Sequence, residues 1–226
     1  MYGFSLTYDC DFPILFHYKW DFHEIVYKMI KHIGRKFYHL FGGLGLLSLY
    51  YLLGRRDALI CYGLIVLAVL AIDITRLKVV AFKRFMQTRF SSFIRENEAN
   101  KLTGTAPYVL GIGMTLFFYQ TGIATAAILF LTCGDVMATT VGERYGRTKI
   151  AGEKSLEGTL AFVVAAVLSG VLLTLTVIQL PCGLLLAGAM VAAGVELLPL
   201  PLNDNLVIPV VSGGVMELIA RTTGCA

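Results

Sequence analysis

Residues 131–162 read LTCGDVMATTVGERYGRTKIAGEKSLEGTLAF, and this stretch joins two long apolar runs. The first run carries an acid, Asp135, before the chain leaves the apolar pattern near Gly142. A charged side chain inside a spanning segment costs a few kcal/mol or more, so it indicates a functional site. The stretch therefore predicts two membrane helices joined by a polar loop, with an acid close to the edge of the membrane.

The composition of the whole chain is that of a membrane protein. Of its 226 residues, 57% are hydrophobic and 15% are charged, whereas soluble domains have about 45–50% apolar and about 25% charged residues. The first residues contain acids such as Asp9 and Asp11 before any sustained apolar run, so no signal peptide is expected. The five cysteines show no CxxC spacing, so neither a disulfide nor a zinc site is expected.

Apolar runs of nearly bilayer length or more predict the spanning helices. The predicted spans are about 38–54, 58–76, 102–119, 122–142, 157–180, 182–198 and 204–220. Before them, apolar side chains recur at helical spacing in residues 21–36 among lysines and arginines, which predicts an amphipathic helix on the membrane surface. We therefore expect an all-α integral membrane protein with about seven transmembrane helices. Residues 1–37 would form a cytoplasmic or interfacial segment, and residues 38–226 the transmembrane catalytic domain.

The distribution of lysine and arginine predicts the orientation in the membrane. Sixteen of these residues fall in the N-terminal region and in connections 76–101 and 143–156, and only three fall on the alternate side. Positive residues concentrate in cytoplasmic loops. The N-terminus and these connections, with the short connection 199–203, should therefore face the cytoplasm. Every candidate polar cluster then lies on one face of the membrane.

Asp135 shares a helical face with small residues. Ala138, Thr139 and Gly142 follow it at i+3, i+4 and i+7, so a metal ion or a phosphate group could approach the carboxylate closely. Mg²⁺ is typically held by one or two carboxylates together with substrate phosphates. The alternative is a structural ion pair with an arginine at the end of the helix.

The loop after Asp135 combines glycines with cations and is typical of a phosphate-binding segment. Its cations and hydroxyl group are those of Arg144, Arg147, Lys149, Lys154 and Ser155. Such groups donate charge-assisted hydrogen bonds to phosphate, and glycine lets backbone N–H groups come close. The spacing is not that of a P-loop, and no strand precedes it. The alternative is an ordinary positive loop bound to lipid head groups.

Two further clusters lie at the same predicted membrane edge. Asn203-Asp204-Asn205 follows two prolines, so Asp204 is either a second metal ligand or part of a helix cap. Glu196 stands in the apolar run just before it. Lys36 and His39 are one helical turn apart, and His39 is a candidate general base toward an alcohol. The alternative for this pair is snorkelling at the membrane interface.

These residues together resemble a known family. The run from Gly134-Asp135 to Glu157-Gly158 is similar to the signature of the CTP-dependent polyprenol and lipid kinases. That family includes dolichol kinase, phytol kinase and CTP-dependent diacylglycerol kinase, and it is related to the phosphatidate cytidylyltransferases. Three shorter motifs resemble it in the same order, and they are Arg35-Lys36-x-x-His39 with Gly42, Glu98…Leu102-Thr103-Gly104, and Glu196…Asn203-Asp204-Asn205-Leu206…Pro209. The resemblance covers about residues 25–218. Many relatives have two acids at the start of the last motif, but here Asn203 stands first, which leaves Asp204 as the candidate ligand.

The resemblance implies transfer of the γ-phosphoryl group of CTP to a membrane lipid alcohol with Mg²⁺. Asp135 and Asp204 would bind the metal, and Lys36 and His39 would act at the lipid entrance. The nucleotide-binding positions implied by the family are Gly134, Gly142, Arg144, Gly146, Arg147, Lys154, Ser155, Glu157, Gly158 and Asn205.

Two alternative functions stay open at this point. One is a phosphatidate-type cytidylyltransferase that makes a CDP-lipid, and the other is a non-enzymatic transporter or scaffold. The acceptor of a kinase could be polyprenol, dolichol, a phytol-like alcohol or diacylglycerol, because tail contacts are generic. No nucleic-acid partner is expected, and the sequence carries no signal for oligomeric state. The expected location is the plasma membrane of a prokaryote, or an ER-type membrane in a eukaryote.

Overall fold

A computed structural model of the chain describes residues 34, 36–89, 100–152, 154–176, 178–200 and 202–224. The predicted amphipathic helix of residues 21–36 lies almost wholly outside this set, and so do Arg35 and Glu98 from the family motifs. That helix and the boundary between the segments 1–37 and 38–226 therefore stay predictions.

Helices make up most of the described chain. They are α1 (36–53), α2 (Arg55–Lys78), α3 (Val80–Arg89), α4 (Thr105–Phe118), α5 (Thr121–Leu129), α6 (Asp135–Tyr145), α7 (Leu156–Thr176), α8 (Cys182–Leu197) and α9 (Asp204–Thr223). A π-helix, Phe130–Gly134, joins α5 to α6, and we call it the π-segment. Strands β1 (Lys149–Ala151) and β2 (Lys154–Ser155) form a small antiparallel hairpin between α6 and α7. The predicted all-α architecture is confirmed, with this hairpin as an addition.

Every predicted span corresponds to a helical segment. Four segments are long and apolar enough to cross a membrane, and they are Arg55–Lys78, Thr121–Tyr145, Leu156–Leu175 and Asp204–Thr223. Helices α4 and α8 are apolar but shorter, so the count of seven crossings stays a prediction. The fifth predicted span, 157–180, extends beyond the helix, because α7 ends at Thr176 and residues 178–181 are not helical.

Helices α4, α5, α8 and α9, with the π-segment, form the centre of the bundle. Their fully buried side chains include those of Ile112, Ile128, Phe130, Ile208 and Met216. Glycines let these helices approach closely. A Cβ atom at Gly111 of α4 would lie 2.6 Å from the carbonyl oxygen of Asn205. The start of α9 is therefore held against the backbone of α4.

Helices α1, α2 and α7 present large apolar side chains on the outside of the bundle. Leu52, Leu67 and Leu175 are 82%, 64% and 78% exposed. Outward-facing leucines on helices of this length are what a lipid environment requires. The described helices are thus apolar both in the packed centre of the bundle and on its periphery.

The candidate polar clusters lie at one end of the bundle, as the charge pattern predicts. Contacts at this end are Lys36 Nζ to Glu143 Oε2 at 2.6 Å, Tyr38 to Thr105 at 3.2 Å and Lys154 Nζ to Asp204 Oδ2 at 3.2 Å. The opposite end is joined by Tyr50 to Thr121 at 3.0 Å, Arg55 to the Phe117 carbonyl at 2.5 Å and the Gln120 N–H to Glu217 at 3.1 Å. Which end faces the cytoplasm stays a prediction.

Arg76 departs from its expected place. The charge count treats it as a loop cation, but its side chain is fully buried and lies 3.3 Å from the carboxylate of Asp73. Its Nη2 donates to the carbonyl oxygen of Lys101. The other oxygen of Asp73 accepts from both the N–H and the hydroxyl group of Thr103. The ion pair therefore joins the end of α2 to the chain that leads into α4.

Candidate active site

The π-segment brings Asp135 to the site. A π-turn is rare, occurs mostly as a single turn inside an α-helix, and is frequent at functional sites. Four residues of the π-segment are buried, and a Cβ atom at Gly134 would lie 2.7 Å from the ring of Phe162 on α7. Asp135 follows at once, with its side chain 26% exposed. The acid thus lies at the start of α6, where its side chain faces α1.

His39 of α1 is the residue that Asp135 faces. Its ring is buried, and Nε2 lies 3.1 Å from Oδ1 of Asn205 at the start of α9. The ring of Tyr108 on α4 packs against it with centroids 4.3 Å apart, and the Tyr108 hydroxyl donates to the His39 carbonyl oxygen. The N–H of Asn205 donates in turn to Oδ1 of Asn203. Three helices therefore fix the orientation of one imidazole ring.

The second ring nitrogen of His39 has a different environment. Nδ1 is buried, has no hydrogen-bond partner among the residues that the structure describes, and lies 3.9 Å from Oδ2 of Asp135. Because Oδ1 of Asn205 accepts a hydrogen bond, Nε2 carries the hydrogen, and Nδ1 of the neutral ring is an acceptor. A distance of 3.9 Å is too long for a hydrogen bond. A donor such as a hydroxyl group is the chemical partner that this nitrogen suits.

Lys154 of β2 gathers the acids of two other helices. Its ammonium group lies 3.2 Å from Oδ2 of Asp204 and 3.4 Å from Oε1 of Glu196, and it also donates to the Glu196 carbonyl oxygen. Acids from α8 and α9 thus converge on one lysine of the hairpin.

At the start of α9, the helix cap and the candidate ligand are different residues. Asn203 is the N-cap of α9, and its side chain accepts from the N–H of Asn205. The carboxylate of Asp204 is therefore directed to Lys154. Glu196 had no assigned role, although an acid inside the apolar run of α8 was the signal that could have revealed one.

The glycines of the predicted phosphate loop bring α6 and α7 together. A Cβ atom at Gly158 would lie 2.9 Å from the carbonyl oxygen of Ala138, and one at Gly142 would lie 3.3 Å from Oγ of Ser155. Ser155 is buried, and its hydroxyl oxygen accepts from the N–H of Gly158. A Cβ atom at Gly146 would also meet Ser155. These positions form a tight helix junction, and their contribution to nucleotide binding stays a prediction.

Glu157 and the two arginines lie around this junction. The Glu157 carboxylate accepts from the N–H of Thr148 at 3.2 Å, which ties the hairpin to α7. Arg144 and Arg147 are exposed, and the Arg144 guanidinium lies over the Tyr145 ring at 5.5 Å. In the described part of the chain neither arginine pairs with Asp135. The alternative of a structural ion pair for Asp135 is therefore not what the structure shows.

Lys36 lies at the rim, on the same helix as His39. Its ammonium group is 2.6 Å from Oε2 of Glu143 on α6. The side chain of Lys36 is 19% exposed and that of Glu143 is 45% exposed. This contact is a second link between α1 and α6, in addition to the approach of His39 to Asp135.

The acids are of the kind that Mg²⁺ prefers, since this ion binds carboxylate and phosphate oxygens. Within the described ranges, no three or more His, Cys, Asp or Glu side chains are arranged to hold an ion by themselves. A cation that arrives with phosphate groups needs only one or two carboxylates from the protein, so the role of Asp135 and Asp204 as metal ligands stays a prediction.

Comparison with curated proteins gives similarity to two fungal enzymes. The chain is 32% identical over 161 residues to "CTP-dependent diacylglycerol kinase 1" of Schizosaccharomyces pombe, which covers 65% of this chain and 74% of that protein. It is 32% identical over 103 residues to the protein of the same name from Eremothecium gossypii, which covers 45% of this chain and 32% of that protein.

A bacterial protein is also similar. The chain is 26% identical over 182 residues to an uncharacterised protein of Rickettsia prowazekii, which covers 77% of this chain and 88% of that protein. No protein-family model and no solved structure matches the chain.

Proposed function

Because the chain belongs to the CTP-dependent lipid kinase family, we propose that it transfers the γ-phosphoryl group of CTP to the hydroxyl group of a membrane lipid alcohol. The reaction uses Mg²⁺ and takes place on the cytoplasmic face of the membrane. The observation that carries this proposal is the 3.9 Å approach of the buried His39 ring to the partly exposed Asp135 carboxylate, at the same end of the bundle as the contact of Lys154 with Asp204.

The nucleotide side of the site is formed by α6, the hairpin and the start of α9. Phosphoryl transfer depends mainly on positioning and on neutralising charge. Asp135 and Asp204 would hold Mg²⁺, which supplies positive charge to the triphosphate when bound. Lys154 donates to phosphate oxygens, and the exposed Arg144 and Arg147 add charge-assisted hydrogen bonds at the rim.

The acceptor side is formed by α1. The lipid alcohol enters sideways from the bilayer, and its hydroxyl group donates a hydrogen bond to Nδ1 of His39. That contact orients the oxygen toward the phosphate and gives its proton a place to go. Asn205 keeps the hydrogen of the ring on Nε2. Lys36 stands at the rim of α1, where a cation attracts phosphate groups.

Diacylglycerol is the first acceptor to test. The two fungal relatives carry its name, and one of them matches over 74% of its length. Polyprenol, dolichol and phytol-like alcohols offer the same hydroxyl group with different tails. The outward face of the bundle is generic apolar surface, so it does not choose among these tails.

A labelled-nucleotide assay tests the proposal. The purified protein, in lipid nanodiscs with Mg²⁺, is given CTP labelled at either the α- or the γ-phosphate and a panel of lipid alcohols, with phosphatidate included. A kinase moves the γ-label onto an alcohol and releases CDP. A cytidylyltransferase moves the α-label onto phosphatidate and releases pyrophosphate.

The outcomes of this assay separate the candidate functions. Transfer of the γ-label to one class of alcohol, with ATP in parallel a poorer donor, is the expected result. Transfer of the α-label alone would identify the cytidylyltransferase reaction. If neither label reaches any lipid while the protein remains folded, the enzymatic proposal is wrong.

A further inference from the structure

Lys154 holds the position that a divalent cation would need. Its ammonium group lies 3.2 Å from Asp204 and 3.4 Å from Glu196. An ammonium ion and a metal ion cannot both bind the same carboxylate oxygens at these distances, because the two cations would repel each other at close range.

We propose that Lys154 is an internal counter-ion that keeps free divalent cations out of the site until CTP binds. The triphosphate then draws the ammonium group away from Asp204 and Glu196, and the metal enters together with the nucleotide. This inference rests on the proposed function and adds an order of binding to it.

Burial explains why the acids need a counter-ion in the nucleotide-free protein. The side chain of Glu196 is only 11% exposed, and that of Asp204 is 38% exposed. A carboxylate that is largely removed from water is costly without a paired cation. Lys154 supplies that cation from the hairpin, and the Glu196 carbonyl oxygen accepts a further hydrogen bond from it in the nucleotide-free protein.

Asp135 does not bind free metal by itself for a related reason. Its partner is His39, which offers the buried, unpartnered Nδ1 at 3.9 Å. Mg²⁺ gives up its water reluctantly and usually needs one or two carboxylates plus phosphate oxygens. Because Lys154 occupies Asp204, Asp135 is left as a single carboxylate beside Nδ1 of His39. One carboxylate is too weak a site for a free ion.

The side chain of Lys154 is suited to exchange partners. A lysine ends in a compact charge on a flexible stem of four carbons, so its ammonium group can move by rotation about side-chain bonds. Lys154 is 29% exposed, so one side of it is open to an incoming phosphate. A triphosphate carries more negative charge than the two carboxylates, and it can therefore compete for the ammonium group.

The test is a titration of the full-length protein in nanodiscs with Mn²⁺ and without nucleotide, followed by electron paramagnetic resonance of the free ion. Mn²⁺ takes the same oxygen ligands as Mg²⁺. We expect weak binding by the wild type and binding roughly tenfold tighter by Lys154→Gln and Lys154→Met, since both leave the acids without a counter-charge. Lys154→Arg should behave as the wild type because it keeps the charge.

Two further variants make the result specific. Lys149→Gln removes one positive charge from the exposed strand β1 of the same hairpin, and it should leave Mn²⁺ binding unchanged. The double variant Lys154→Gln with Asp204→Asn should lose the gained affinity, because the exposed acid has then been removed. Thermal unfolding of each variant checks that it is folded.

The inference fails if wild type binds free Mn²⁺ as tightly as Lys154→Gln, or if the gained affinity survives Asp204→Asn. Wild type that turns over CTP but binds free Mn²⁺ tightly overturns this order of binding and leaves the proposed function standing. Wild type that transfers no phosphoryl group to any lipid alcohol overturns the proposed function, whatever the titration gives.

Discussion

His39 and Asn205 are 166 positions apart in the sequence, yet Nε2 of the one lies 3.1 Å from Oδ1 of the other in a buried contact. The contact joins the start of α1 to the start of α9. It also fixes which nitrogen of the ring faces Asp135. The orientation of His39 Nδ1, the candidate proton acceptor, is thus set by a helix that is distant in the sequence.

Replacing Asn205 should therefore impair the acceptor side of the reaction. In Asn205→Leu the Nε2–H group loses its acceptor, which should lower kcat by about 10- to 100-fold and stability by about 1–3 kcal/mol. Asn205→Asp keeps an acceptor oxygen and should recover much of the loss in kcat. Steady-state kinetics with CTP and diacylglycerol measure this, and equal losses in both variants would contradict the role of Asn205.

Asp135 should be essential for turnover and dispensable for folding. Asp135→Asn removes the negative charge at the meeting point with His39, and we expect kcat to fall about a hundredfold or more. Asp57→Asn is the matched control, because Asp57 is an exposed acid at the opposite end of the bundle. The measurement is γ-label transfer per folded protein, with folding checked by size-exclusion chromatography. Retained γ-label transfer in Asp135→Asn would show that this acid is not needed for the reaction.

Two glycines on α4 should respond differently to the same substitution. A Cβ atom at Gly111 would meet the Asn205 carbonyl oxygen at 2.6 Å, whereas one at Gly113 would be in ordinary contact with Tyr62 at 3.6 Å. Gly111→Ala should destabilise the protein by about 1–3 kcal/mol and lower kcat, because it pushes α9 away from α4. Gly113→Ala should be neutral or stabilising by up to about 1 kcal/mol. Thermal unfolding compares the two, and equal shifts would argue against this helix contact.

The buried ion pair at the end of α2 should matter for stability rather than for chemistry. Arg76→Met leaves the Asp73 carboxylate buried without its cation, which should cost about 3–5 kcal/mol. Lys78→Met, a change of the same type at an exposed position two residues later, should have little effect. Thermal unfolding in nanodiscs measures both. A small shift in Arg76→Met would mean that Thr103 alone satisfies Asp73.

Lys36 and Glu143 should be unequal partners. The pair is partly exposed, and such pairs contribute less than about 1 kcal/mol to stability. Glu143→Gln should therefore change activity by no more than about twofold. Lys36→Gln should lower kcat/KM markedly if Lys36 acts on phosphate groups at the rim. If both variants keep wild-type kinetics, Lys36 is an interfacial residue only.

Much of the architecture was predictable because the spanning helices follow from apolar runs of the required length. The positions of α2, α4, α7, α8 and α9 came from this pattern alone. The charge count also placed the polar clusters at one end of the bundle. Asp73 lies one helical turn before Arg76, so helical spacing allows that pair. The burial of Arg76 was not predictable, because its other partner, the Lys101 carbonyl oxygen, becomes a neighbour only through tertiary structure.

The candidate site was predictable as a set of residues but not as a set of contacts. Asp135, Lys154 and Asp204 stood out by their place in the pattern. The ion pair of Lys154 with Glu196 and the bond of His39 to Asn205 join distant segments, and periodicity carries no information about such pairs. The burial of Ser155 in a helix junction was equally out of reach, since glycine spacing suits both helix packing and phosphate binding.

The orientation of Asp135 depends on the number of residues in the π-segment Phe130–Gly134, which directly precedes it. A π-turn contains one residue more than an α-turn, and each residue of an α-helix rotates the chain by about 100°. Without a wider turn, one extra residue would rotate everything after it by about that angle, and the π-segment takes up the extra residue so that α6 keeps its face. A deletion that only closed the π-turn to an ordinary turn would therefore leave Asp135 near its present place. An insertion or deletion that the π-turn cannot take up would turn the acid to another side of the bundle.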